Sequence, residues 1–362
     1  GADEGLSAVV GAHHGRTEPN ETSMLCERSP KSFGWTGGGG RDTPWGDVQH
    51  KLICWAAARL GVASLAELPP CPPSAQLVLS GLTVMADWIA SNTRFFPLLP
   101  AEELPDRYDP GRADAALSAL RLPGPWQVTA DWRSAGFFPG RFGFAENAVQ
   151  AEAMRIAEGM DTPGVMIVEA PMGQGKTEAA LAAAEILMER FGLGGAAFFL
   201  PSQATSDAMF ARLTAWAEHQ PDADGIAVEL AHGQADLNDG FRQLAEGSVH
   251  VEQGEQDAGA LTVHSFFRGR KTRLLADLVV GTVDQLLMAA LKQRHVMLRH
   301  LGLAGKAVIV DECHAYDAYM DRYLDSALSY LGTYRVPVIL LSATLPKARR
   351  EELLRAYARN KK

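Results

Sequence analysis

The sequence predicts two architectures in one chain, an all-α region followed by an α/β region built on a parallel sheet. Three observations carry this. Apolar residues recur at spacings of three and four before residue 115, and short β-rich apolar runs alternate with longer helical patterns after Gly164. A Pro-rich interval separates the two patterns.

Residues 1–115 read as helical, with the clearest helical spacing at 45–60 and 75–91. The run Pro69, Pro70, Cys71, Pro72, Pro73 breaks one from the other. Four glycines at 37–40 read as a surface turn, since no strand leads into them. Residues 116–148, with Pro123, Pro125 and Pro139, read as a connector, and 149–362 as the α/β domain. Strands are expected at 165–168, 197–200, 278–280, 307–310 and 338–341, and helices at 177–190 and 315–331. That alternation implies a parallel sheet covered by helices on both faces. The rhythm fails at about 217–260, where acidic residues crowd around a lone Arg242, and this stretch is expected to be an insertion.

Composition narrows the class. Of 362 residues, 47% are hydrophobic and 21% charged, the balance of a folded globular chain. Cys26, Cys54, Cys71 and Cys313 form no Cys-x-x-Cys pair, which excludes a zinc ribbon and a disulfide framework and fits a reducing cytoplasm. No apolar run is long enough for a membrane span, so a soluble cytoplasmic protein with no membrane contact is expected. With a net charge of −9, any grip on nucleic acid must come from a local groove and not from bulk charge.

The segment Ala170, Pro171, Met172, Gly173, Gln174, Gly175, Lys176, Thr177 follows a predicted strand and opens a predicted helix. Glycines there let backbone N–H groups close around phosphate oxygens, and the helix N-terminus favours the negative charge. Lys176 then reaches the β- and γ-phosphates of ATP, and the Thr177 hydroxyl ligates Mg²⁺. A second apolar strand ends in Asp311, Glu312, Cys313, His314. Asp311 is placed to hold Mg²⁺, and Glu312 to polarise the attacking water. A third ends in Ser342, Ala343, Thr344, whose hydroxyls can hydrogen-bond His314 and couple nucleotide state to strand movement. In this order, the three sets identify a superfamily 2 helicase motor of RecA-like fold.

Longer stretches narrow the resemblance. Residues 200–210 (Leu200 to Phe210), 231–238, 267–271 and 280–285 resemble motifs of the CRISPR-associated helicase–nuclease family of type I systems, an HD nuclease fused to a DEAD/DEAH-like helicase. Ser202, Gln203 and Thr205 are short polar groups at a strand-to-helix junction, suited to the phosphates of single-stranded DNA, and Thr282 and Gln285 stand at a similar junction. Arg268, Arg270, Lys271 and Arg273, next to Phe266 and Phe267, form the densest basic patch of the motor. The resemblance also assigns Gln150 to the adenine edge, although Asn147-Ala148 stands where the family pattern has Arg-Pro.

Upstream, Val10, Gly11, Ala12, His13, His14, Gly15 and the stretch 82–92 around Asp87 resemble the later motifs of that family's all-helical HD domain. His13, His14 and Asp87 are suitable ligands for Fe²⁺, Mn²⁺, Co²⁺ or Ni²⁺, ions that supply a hydroxide for phosphodiester attack. The family's earlier ligands have no match, and its second RecA-like domain is expected after Lys362. The expectation is thus a piece truncated at both ends, nearly inactive alone. The resemblance implies a parent that an RNA-guided CRISPR surveillance complex recruits, that moves 3′ to 5′ using ATP, and that cuts single-stranded DNA. A helicase with a non-nucleolytic helical accessory domain and an inactive scaffold fragment are the rival readings.

Overall fold

The computed structural model describes residues 4–15, 44–100 and 110–359, apart from 125, 130, 222, 224, 254–259 and 315. The four-glycine stretch at 37–40 and Cys26 lie outside them. The N-terminal part is helical: α1 (Glu4–Gly11), a 3₁₀ turn (Ala12–His14), α2 (Pro44–Arg59), α3 (Pro73–Ala90) and α4 (Pro110–Leu120). Pro72 and Pro73 open α3, where the missing N–H of proline costs nothing.

The second part holds α5 (Phe137–Phe142), α6 (Ala148–Gly159), β1 (Val165–Glu169), α7 (Lys176–Phe191), β2 (Ala196–Leu200), α8 (Gln203–Glu218) and β3 (Ile226–Ala231). It continues through α9 (Asp239–Gln253), β4 (Leu261–Thr262), β5 (Leu278–Thr282), α10 (Val283–Leu287), α11 (Val296–Ala304), β6 (Ala307–Val310), α12 (Ala318–Thr333), β7 (Val338–Ser342) and α13 (Lys347–Ala358). The seven strands form one sheet in the order β1-β7-β6-β2-β5-β3-β4, every pair parallel. Alternate residues feed two cores. Phe198 and Leu200 face the side covered by α7 and α8, while Ala197 and Phe199 face the side covered by α12 and α13. Helix α7 is buried almost without interruption from Ala179 to Met188, which anchors the loop preceding it.

Two expectations fail here. The acidic stretch is no insertion outside the sheet, because β3 pairs with β5 through Val228↔Leu278 to Ala231↔Gly281 and is buried throughout. Glu229 disguises it: a carboxylate interrupts the apolar run, yet it sits buried beside Arg273. The connector is no tether either. Helix α4 runs across its expected start, and Trp126, Val128, Phe137 and Phe138 join the core under α7. Arg141 forks onto the buried Glu185 at 2.8–3.2 Å, and Trp216 and Gln220 donate to the same carboxylate. A buried charge held by that many donors ties the segment to the core.

Candidate nucleotide site and metal ligands

β1 delivers the chain to Ala170, whose N–H bonds the Ser342 carbonyl at 3.2 Å. The loop then turns on Gly173 (φ 77°) and Gly175 (φ 70°), left-handed conformations that suit glycine. Gly175 caps α7 without any side chain bonding the helix N-terminus, so the first N–H groups are available to an anion. Lys176 folds into that cradle. It is buried, and its ammonium donates to the carbonyls of Ala170 (2.6 Å) and Pro171 (3.1 Å). Next to it the Thr177 hydroxyl accepts a bond from Arg212 Nη1 at 3.2 Å, and Arg212 also pairs with Glu178. Arg212 lies in the middle of α8, where nothing in the sequence marks it as part of the site.

Asp311 ends β6 with its N–H on the Phe199 carbonyl (2.9 Å). Burial pushes its carboxyl above the usual range, while the N–H of Glu312 and the charges of Lys176 and Arg212 pull it back. The phosphate loop follows β1 and this carboxylate follows β6, parallel strands on either side of β7, so both stand at the same edge of the sheet. Glu312 adopts φ 51°, rare for a residue with a side chain and costing about 1–3 kcal/mol. In that conformation its Oε2 lies 3.3 Å from His314 Nδ1. The same nitrogen is 3.1 Å from Ser342 Oγ, and Ser342 Oγ donates its proton to the Thr344 carbonyl at 2.9 Å. With that hydroxyl proton committed, the imidazole proton must be on Nδ1, shared between Ser342 and Glu312. Glu312, His314 and Ser342 are thus joined across β6 and β7, and Thr344 takes part through its backbone.

Gln150 takes a different position from the one expected. Its Oε1 accepts the Asn147 N–H (2.9 Å), its Nε2 donates to the Gly175 carbonyl (3.2 Å), and it is 1% exposed. Asn147 Nδ2 adds a bond to the Gln174 carbonyl. Both residues form a capping box on α6 that braces the phosphate loop. The Asn-x-x-Gln spacing is itself the signal for that cap. Beside the loop, a cavity of about 270 Å³ is lined by Arg141, Phe142, Phe144, Glu178, Arg212 and others. The sequence reading missed these aromatics because their segment read as a connector.

Of the residues expected to contact DNA, Ser202, Gln203 and Thr205 follow β2, Thr282 ends β5 and Gln285 follows it, while 268–273 lie in the segment between β4 and β5. Ser202 and Thr205 form a capping box on α8, with Thr205 N–H donating to Ser202 Oγ at 3.2 Å. Gln203 is exposed beside them. Thr282 is buried at the start of α10, and Gln285 accepts from Arg299 Nη1 at 3.1 Å. The basic patch is split up by the fold. Arg268 pairs with Asp236 (3.2 Å), and Arg273 lies 3.4 Å from Glu229 and donates to the His232 carbonyl. Arg270 is exposed, and Lys271 sits over the Trp88 ring at 5.6 Å.

On the helical side, the turn carrying His13 and His14 packs against α3, which carries Asp87. His13 Nδ1 is 2.6 Å from the Val10 carbonyl, the kind of support a metal-ligating imidazole commonly has at its second nitrogen. Two imidazoles and a carboxylate fit a share of a transition-metal centre, though among the described residues no three His, Cys, Asp or Glu side chains gather into one group.

Comparison with known families matches residues 1–96 to the Cas3 HD domain and 147–353 to the DEAD/DEAH box helicases. The chain is 40% identical to the CRISPR-associated nuclease/helicase Cas3 of Streptococcus thermophilus, over 99% of its length and 39% of the relative's. It is 33% identical to the endonuclease/helicase Cas3 of Thermus thermophilus, over 98% of the chain and 38% of the relative. The chain thus spans about two fifths of the curated relatives it matches. The T. fusca Cas3–AMPPNP structure superposes with a TM-score of 0.79 at 31% identity, covering 99% of this chain and 38% of that one. A CRISPR RNA-guided surveillance complex in a pre-nicking state matches with a TM-score of 0.62 at 28% identity, covering 98% and 34%.

Proposed function

We propose that this chain, which belongs to the DEAD/DEAH box helicase family and, through its HD portion, to the Cas3 nuclease/helicases, serves an ATP-driven 3′–5′ DNA helicase and metal-dependent single-strand nuclease of CRISPR defence. The observation that carries the reading is the continuous set Lys176, Thr177, Asp311, Glu312, His314 and Ser342. There the phosphate cradle after β1 and the carboxylates after β6 share one edge of the sheet, and Glu312 is linked through His314 to Ser342 of β7.

The residues act in a definable order. Lys176 exchanges the carbonyls of Ala170 and Pro171 for the β- and γ-phosphates of ATP. Thr177 gives up Arg212 and, with Asp311, holds Mg²⁺, whose charge neutralises the phosphate oxygens. Glu312 accepts the proton of the attacking water. Any shift of Glu312 is felt at Ser342 through His314, so β7 registers the nucleotide state. The adenine stacks in the cavity of Phe142 and Phe144.

Single-stranded DNA runs past Gln203, Thr282 and Arg270, with the N-terminus of α8 offered to its phosphates. On the helical side, His13, His14 and Asp87 hold part of a divalent transition-metal centre, which when loaded supplies a hydroxide for phosphodiester cleavage. Recruitment by an RNA-guided surveillance complex accords with the pre-nicking relative. A cytoplasmic location accords with the described residues, none of whose helices is long and apolar enough to cross a membrane.

The test is three assays on the full-length gene product: ATPase, nicking of a single strand, and degradation of a duplex. Lys176→Ala should lose about 10²–10³-fold in ATPase, the usual cost of one transition-state donor, while nicking persists. Asp87→Ala should stop nicking and leave DNA-stimulated ATPase intact, and both should fail on duplex. If Asp87→Ala nicked like wild type, the helical part would be an accessory domain without nuclease chemistry.

A further inference from the structure

The helical ligands are not held by the helical region alone. Helix α3 lies so close to α11 that a Cβ on Gly81 would come within 2.6 Å of the Met297 carbonyl oxygen. Ala12, Val84, Met297 and Leu298 make one buried cluster, with Met85 and Trp88 packed on it. Two of its four buried members therefore come from α11, in the motor.

One residue touches both ligand-bearing elements. His295, the N-cap of α11, has the left-handed conformation φ 63°, ψ 24° and is buried. Its N–H donates to the Gly15 carbonyl at 2.8 Å, one residue past His14. Its ring packs on that same peptide: a Cβ at Gly15 would lie 2.3 Å from His295 Nδ1, and Gly15 has φ 86°, so only glycine fits there. The other side of the ring meets Trp88, one residue past Asp87, edge-on at 5.2 Å. Lys271, from the loop expected to face DNA, sits over the same indole at 5.6 Å. Burial, with Lys271 and Arg294 nearby, pushes the His295 imidazole down to about 4. The neutral ring, whose buried Nδ1 has no hydrogen-bond partner, acts by shape, and the backbone N–H supplies the hydrogen bond to Gly15.

We propose that His295 is a positioning residue for the HD metal ligands. From the motor side it fixes the turn bearing His13 and His14 against the helix bearing Asp87. Metal affinity at the HD centre is then set partly by α11, and a shift of that helix under the motor's working cycle is transmitted to the nuclease. This rests on the reading of His13, His14 and Asp87 as metal ligands.

The experiment titrates Mn²⁺ into the full-length gene product by calorimetry. His295→Asn keeps a residue that tolerates the left-handed conformation, and with it the bond to Gly15, but removes the ring. Its Mn²⁺ affinity should fall about tenfold, the scale seen when a ligand's supporting partner is removed. Nicking should return at raised Mn²⁺, while ATPase stays as in wild type. Trp88→Leu, at a half-buried position, removes the other half of the contact and should weaken Mn²⁺ binding in the same direction. Wild-type Mn²⁺ affinity in both variants would overturn the proposal. His14→Ala separates the two failures: if it too binds Mn²⁺ like wild type, the ligand assignment is what falls, and the positioning role falls with it.

Discussion

The two candidate sites rest on differently built ground. In the sheet domain, Glu169, Asp311 and Ser342 stand at or just beyond the ends of β1, β6 and β7, and β6 and β7 are fully buried between helical layers. Among the described residues, the helical region offers no such platform. The turn bearing His13 and His14 and the helix bearing Asp87 share a small cluster that Met297 and Leu298 of the motor complete. One candidate site is positioned by its own domain, the other partly by its neighbour. The difference teaches that ligand geometry is only as rigid as the core beneath it.

The comparison can be broken by mutation, and the largest effect concerns the cores. Leu340→Ala removes a fully buried side chain of β7 and should cost about 2–5 kcal/mol. Leu82→Ala, on the exposed face of α3, should stay within about 0.5 kcal/mol. Denaturant titration of both variants checks this, and equal losses would deny the contrast.

A second, smaller effect is a pH dependence confined to the sheet domain. Burial raises the Glu229 carboxyl from 4.5 to about 8, against a weaker opposing pull from Arg273 and Arg268. Between those values the folded chain holds a proton that the unfolded chain has released, so stability falls as pH rises through this window. Glu229→Gln cannot ionise and should gain on wild type in thermal midpoint from pH 5 to pH 9. A constant gap would mean that Glu229 is already charged when folded.

The smallest effect is at the nucleotide loop. Arg212 is half-exposed and bonds the Thr177 hydroxyl, which under the proposed function would have to be released to Mg²⁺. Arg212→Ala should tighten ATP·Mg²⁺ binding by about two- to fivefold, the value of one exposed hydrogen bond. Weaker binding would show instead that Arg212 belongs to the bound state.

This contrast also explains what could be read from the sequence. The candidate nucleotide residues follow short apolar strands, and glycines or paired carboxylates at strand ends have few other uses, so Lys176, Asp311 and Ser342 stand out in the sequence. β3 was hidden by Glu229, whose burial depends on Arg273 from a distant loop. The packing of Trp126 and Phe138 was hidden by the neighbouring prolines, which suggested a tether. Arg212 and His295 act through contacts that only the tertiary fold creates, and neither carries a local signal. For Gln150 the Asn-x-x-Gln spacing also signals the helix cap that the fold shows.

The central claim is that the Asp311–Glu312 pair turns over ATP at the cradle of Lys176 and Thr177. The most direct measurement compares wild type and Glu312→Gln in the full-length gene product, reading ATP binding and single-strand-stimulated hydrolysis side by side. Gln keeps the size of the side chain and a hydrogen-bonding oxygen but cannot take a proton. The account predicts that ATP still binds while turnover falls by about 10²–10⁴-fold. Turnover within a factor of about two of wild type, far short of a general base's usual contribution, would contradict it.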